Sequence, residues 1–195
     1  MSKTIVAILL LCISCWACSK GTAANGSQQP NGVVATQSAN GELKYKVPEG
    51  WVVEKPSSSM RVAQYKLPKA AGDSEDASLV LYYFGQGQGG GTQANIDRWI
   101  NQMHQPDGSP PSSKAKSETL TVNGLKVTTV DAVGTYSAEM TPGSGNFSSN
   151  DNYRLRGAVV ETPKGSYFVK LVGPAKTVEQ WNAAFDSYVK SFEFK

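Results

Sequence analysis

Residues 84–91 read Phe-Gly-Gln-Gly-Gln-Gly-Gly-Gly, and Gly85, Gly87 and Gly90 fit the spacing G-x-G-x-x-G. Where a strand turns into a helix, that spacing cradles a pyrophosphate. The glycines let backbone N–H groups approach the ligand, and the helix N-terminus attracts its charge. The chemistry needs further parts: a parallel second strand, and an acid about 20 residues on to meet the ribose. Here that distance lands near Pro110 and Pro111, and the nearby acids are Asp107, in a turn, and Glu118, in a later strand. No Lys-Ser/Thr pair completes a P-loop after the glycines. Gly85, Gly87, Gly89, Gly90 and Gly91 therefore read as a strand-to-helix corner, where a positive φ costs little. They are kept as candidate contacts for a protein partner or an anion, because a helix N-terminus follows them.

The other reactive side chains are few. His104 is the single histidine and falls where a helix should end, as a dipole partner or a surface residue. Asp73, Glu75 and Asp76 sit in a polar stretch that reads as a solvated turn. Cys12, Cys15 and Cys18 all precede the body of the chain, so that body has no disulfide and no thiolate to attack a substrate or hold a metal. Neither G-x-S-x-G nor H-E-x-x-H occurs. No catalytic residue, metal ligand or cofactor is assigned, and the chain does not read as an enzyme. The net charge is +3 with Lys and Arg scattered, which does not make the basic stripe of a nucleic-acid binder.

The N-terminus reads as an export signal, residues 1–17. Lys3 supplies the positive charge, Ile5–Leu11 the apolar run, and Ser14 and Ala17 the small residues before a cut. The apolar run ends near Cys18, short of the ~20 residues that span a bilayer. The stretch Cys15-Trp16-Ala17-Cys18 resembles the lipobox of bacterial lipoproteins. That resemblance implies an acylated Cys18 as the mature N-terminus, with Cys15 as the alternative. Several acyl chains on one cysteine anchor firmly where a single chain is marginal. Ser19 after the cysteine does not mark inner-membrane retention in that pattern. The expected location is the cell membrane or the outer membrane, facing the periplasm.

Residues 18–40 are rich in Gly, Ser, Ala, Asn and Gln and read as a flexible tether. A single folded domain is expected over 41–195. Residues 42–55 read as a strand, a Pro48-Glu49-Gly50 turn and a second strand, and Met60–Leu67 alternates as a third. Ser78–Phe84 is apolar on both alternating faces, as in a central strand covered on both sides. Ile96, Trp99, Ile100 and Met103 stand at i, i+3, i+4 and i+7, one face of a helix with Thr92 as N-cap. Asn123-Gly124 turns one hairpin and Pro163-Lys164-Gly165 a second, with a long loop over 137–152 between them. Thr177 caps a last helix, and Val178, Trp181, Phe185, Tyr188, Val189 and Phe192 form its buried stripe.

This order predicts an α+β fold: a mainly antiparallel sheet with helices packed on it, as an α/β/α sandwich. Tyr45–Trp51, the single mid-chain helix, the late hairpins and the closing stretch Gly173–Phe194 resemble the PsbP-like fold of photosystem II extrinsic protein P. Tyr82–Met103 and Val169–Val178 are similar to bacterial secreted, lipoprotein-like proteins of unknown function. The resemblance implies a non-catalytic module that contacts an envelope protein while its lipid holds it to the membrane. The alternative is a binder of a small ligand or anion at the glycine corner.

Overall fold

The computed structural model describes residues 36–39, 43–139 and 145–195. The expected signal peptide, Cys15, Cys18 and most of the expected tether lie outside the described residues. The chain runs β1 (Thr36–Ala39), β2 (Leu43–Lys46), β3 (Val52–Glu54), β4 (Arg61–Leu67), β5 (Ala77–Tyr83), α1 (Thr92–Asn101), β6 (Met103–His104), β7 (Ala115–Val122) and β8 (Leu125–Glu139). It continues through β9 (Phe147–Thr162), β10 (Gly165–Pro174), α2 (Ala175–Gln180), α3 (Asn182–Lys190) and β11 (Glu193–Phe194).

The large sheet is ordered β3-β4-β5-β10-β9-β8-β6, and β7 also pairs with β8. Its pairings are all antiparallel. A small antiparallel sheet is ordered β1-β2-β11, so a strand lies just upstream of the expected domain start at residue 41. Alternation sorts the side chains of β10. Tyr167, Val169 and Leu171 enter one core, with Val178, Phe185, Tyr188 and Val189 from the C-terminal helices and Phe192 just after them. Phe168 enters the other core, with Ile96 and Trp99 of α1. Helices thus cover both faces of an antiparallel sheet, the expected α+β sandwich.

The close fit of α1 to the sheet depends on Gly157 of β9. A Cβ there would lie 2.6 Å from Trp99 ring carbons and 2.9 Å from Val130. Gly157→Ala forces the indole off its seat, and we expect a loss of about 1–2 kcal/mol, as for other overpacked cores. Urea denaturation checks this, and an unchanged midpoint would contradict it.

Several expectations change in the folded chain. Ser137–Glu139 and Phe147–Asn152 belong to long hairpin arms, paired as Ser137↔Ser149, Ala138↔Ser148 and Glu139↔Phe147. The backbone ladder makes them strands although their side chains are mostly polar. Thr92 is the first residue of α1, not its cap; Gly91 holds that position with no side-chain bond. Thr177 lies inside α2, and its N–H and hydroxyl both donate to Asp73, at 2.9 and 2.6 Å. The capping acceptor therefore comes from a loop 104 residues away in sequence. The single closing helix is two short ones that meet at Trp181 (φ −96°, ψ 7°). The indole there is fixed by donating 2.9 Å to the Pro68 carbonyl.

Charged side chains tie the closing helices to the sheet. Arg154 of β9 donates to both Asp131 oxygens at 2.8 and 2.5 Å and also to Glu179 of α2. Arg156 donates 2.7 Å to Asp186 and also to Asn182, both on α3, with its guanidinium carbon 4.7 Å from the Phe185 ring centre.

Candidate functional site

The glycine corner comes first, because the sequence points there. Gly85, Gly87, Gly89 and Gly90 have φ of +102°, +72°, +87° and +81°, so the bend itself uses their freedom. A Cβ on Gly89 would lie 2.7 Å from both Phe84 and Phe168. Asn95 reaches back from α1 and donates to the Gly89 and Gly91 carbonyls at 2.8 and 3.0 Å. The strand entering the corner, β5, has antiparallel neighbours on both sides, β4 and β10. The pair of parallel strands that a dinucleotide site requires is therefore not beside it. At the start of α1, Thr92 donates 2.9 Å to Glu161, which pairs with Lys126 at 3.0 Å. The Lys126 partner holds the Glu161 carboxyl below its ordinary range. An incoming anion would meet that carboxylate.

His104 lies in β6, beyond the helix end at Asn101, where its backbone pairs with Thr135; its side chain is exposed. The three loop acids stay at least partly exposed, and each also holds a protein partner. Asp73 holds Thr177, Glu75 accepts from the Tyr153 hydroxyl, and Asp76 accepts from the Lys69 N–H at 2.9 Å. Among the described residues no group of three or more His, Cys, Asp or Glu side chains is arranged to hold a metal.

A different place gathers the chemistry. α1 has ten residues, about 15 Å of helix, against strands spaced about 4.8 Å apart. Its core partners Val130, Ala132, Leu155, Val159 and Phe168 lie on β8, β9 and β10. None of these buried partners lies on β4 or β5. A cleft of about 310 Å³ forms there, lined among others by Arg61, Val80, Tyr82, Tyr136, Tyr153 and Lys170. That volume suits a small organic molecule.

Lys170 is the odd residue on β10. Alternation points it to the α1 face between Phe168 and Val172, where an apolar side chain would be expected. Its ammonium donates 2.6 Å to the Gln102 side-chain oxygen and 3.1 Å to the Tyr136 hydroxyl. Gln102 caps the C-terminus of α1, the end that favours a positive charge. Neither Lys170 nor Arg61 forms an ion pair among the described residues. Burial, helped by nearby Arg98, lowers the Lys170 pKa to about 8. Burial, with the Tyr82 hydroxyl nearby, pushes Tyr136 up to about 12. Burial and the bond to Glu75 hold the Tyr153 hydroxyl firmly protonated.

Aromatic surfaces complete the cleft. The Tyr136 and Tyr153 rings lie 6.2 Å apart and within 6° of parallel, and Tyr82 stacks on Phe84 at 5.9 Å. Arg61 places its guanidinium carbon 5.7 Å from the Tyr82 ring centre and donates 2.9 Å to Gln64. The arrangement offers a cation and flat ring surfaces on a partly water-excluded floor, which suits binding.

No family model matches the chain, and no curated protein matches it. Among solved structures it is similar to a protein of unknown function from Pseudomonas aeruginosa, described as a putative regulator. That likeness has TM-score 0.44 and 13% identity, over 84% of this chain and 99% of that one. It is also similar to cyanobacterial PsbP from Synechocystis, with TM-score 0.47 and 12% identity, over 88% of this chain and 99% of that one. The fold class rests on the chain's own antiparallel pairing and two-sided helix cover.

The glycine reading missed the cleft, which takes residues from β4, β5, β8, β9, β10 and the loop at Glu75. One local signal was available. Tyr167-Phe168-Val169-Lys170-Leu171-Val172 places one charge inside an apolar strand that has neighbours on both sides.

Proposed function

We propose that this chain is an exported, lipid-anchored binding module, without catalysis of its own, and that its ligand is a small molecule held in the cleft beside α1. One observation carries the ligand reading: the Lys170 ammonium lines an aromatic cleft with no carboxylate partner among the described residues. A buried charge without a counter-charge is costly, and such groups concentrate at functional sites. A thermal-shift panel of small acids, amines and neutral ring compounds on the full mature chain tests it. Binders should perturb the NMR signals of Tyr82, Tyr136 and Lys170. A flat response, or perturbation confined to Gly85–Gly91, would remove the cleft and return attention to the corner.

The anchoring part rests on the lipobox-like Cys15-Trp16-Ala17-Cys18. Metabolic labelling with a fatty-acid probe should give a labelled chain, and Cys18→Ser should lose the label. Label retained in that variant and lost in Cys15→Ser would move the attachment to Cys15. Label absent from the parent would end the lipoprotein reading.

A further inference from the structure

We infer that the cleft recognises a small aromatic monocarboxylate, with its carboxylate on the Lys170 ammonium and its ring among Tyr82, Tyr136 and Tyr153. This rests on the reading of the cleft as the ligand site.

Donor accounting leads to the carboxylate. An ammonium has three N–H donors. Gln102 and Tyr136 take two of them, and no third protein acceptor is present among the described residues. Arg61 lines the same cleft, and among the described residues its guanidinium donates to Gln64 alone. A carboxylate supplies acceptors and no donors, together with the missing counter-charge. Lined tyrosine rings favour a flat ring behind that head group. The number of charges follows from the rim. Glu75 and Asp76 also line the cleft, so a second negative charge on the ligand is repelled. A monocarboxylate is preferred over a phosphate ester for that reason.

The pH dependence follows from the groups around the ammonium. Arg98 from α1 and Tyr136 from β8 face it; Arg61, Glu75, Asp76, Tyr82 and Tyr153 share the cleft. A bound carboxylate favours the charged amine, so binding is full below the free-state value of about 8 and declines above it. Tyr136, held at about 12, does not titrate in that window.

The test titrates phenylacetate, 2-phenylacetamide and phenyl phosphate into the full mature chain, read by calorimetry and by NMR. Phenylacetate should bind at least roughly tenfold tighter than the other two, a difference typical of a charge-assisted bond. Its affinity should fall roughly tenfold from pH 7 to pH 9.5. Lys170→Met should erase the preference for acid over amide, and Arg61→Gln should weaken it. Equal or tighter binding of the amide or the phosphate overturns the inference, as does a preference that survives Lys170→Met. If none of the three binds while another member of the small-molecule panel occupies the cleft, the carboxylate assignment fails and the cleft reading stands. If nothing occupies the cleft, both fail.

Discussion

Lys170→Met yields a protein more stable than its parent by roughly 2 kcal/mol at pH 7. The substitution gives up two hydrogen bonds to neutral groups, Gln102 and Tyr136, but among the described residues it breaks no ion pair. The lysine titrates near 10.5 when unfolded and near 8 in the fold, so the unfolded chain binds more protons between those values. Stability of the parent therefore rises as pH climbs from about 8 to about 10.5, and below about 8 the penalty is complete. The full shift would correspond to about 3 kcal/mol, and partial exposure of the side chain reduces it. Methionine has similar length and fills the same gap without a charge. The variant's advantage should be full at pH 7 and absent by about pH 11. Urea melts across that range check both the size and the pH dependence. A destabilised variant, or an advantage independent of pH, would show that Lys170 is a structural residue. A gain in stability accompanied by loss of ligand is the pattern of a site retained for function.

Asp131→Ala produces the opposite outcome, a loss of about 2–3 kcal/mol. The Arg154 and Arg156 side chains are 14% and 10% exposed, and Asp131 is the acid beside both. Without it, among the described acids, Arg154 keeps Glu179, whose side chain is 65% exposed, and Arg156 keeps Asp186, at 47%. Exposed partners compensate a buried charge poorly. The Arg156 Nε, which has no hydrogen-bond acceptor among the described residues, loses the Asp131 carboxylate at 3.8 Å. The loss stays below the about 3–5 kcal/mol of a fully buried pair because both arginines keep one acid. Asp131→Ala combined with Arg154→Met should lose less than the sum of the single changes, since the stranded charge is then removed. A strictly additive cycle would contradict the coupling.

Local chemistry made much of the fold legible. Asn123-Gly124 marked its hairpin because both residues adopt positive φ, +48° and +83°. The stripe from Val178 to Phe192 marked the C-terminal core because its period matches a helix. The polar arms Ser137–Glu139 and Phe147–Asn152 were not legible, because the ladder with the opposite arm, not side-chain pattern, makes them strands. Asp73 and Thr177 show the same limit for a helix start: the acceptor and the N–H it serves meet only in the folded chain.

The candidate site was less legible than the fold, and for a physical reason. The glycine run advertises itself through composition, yet its positive φ values serve a tight bend packed on Phe84 and Phe168. The cleft arises because a ten-residue helix covers only part of a wide sheet. Its lining comes from strands whose order in space differs from their order in sequence. Only Lys170, alone among apolar neighbours on a strand buried from both sides, left a mark that could be read in advance.

Titration of the Lys170 side-chain nitrogen by NMR in the ligand-free chain tests the central claim most directly. An ammonium held on a desolvated floor without a counter-charge should lose its proton near pH 8. A midpoint at or above 10.5, the ordinary lysine value, would mean that the charge is solvated or paired, and the cleft would lose its claim to be a ligand site.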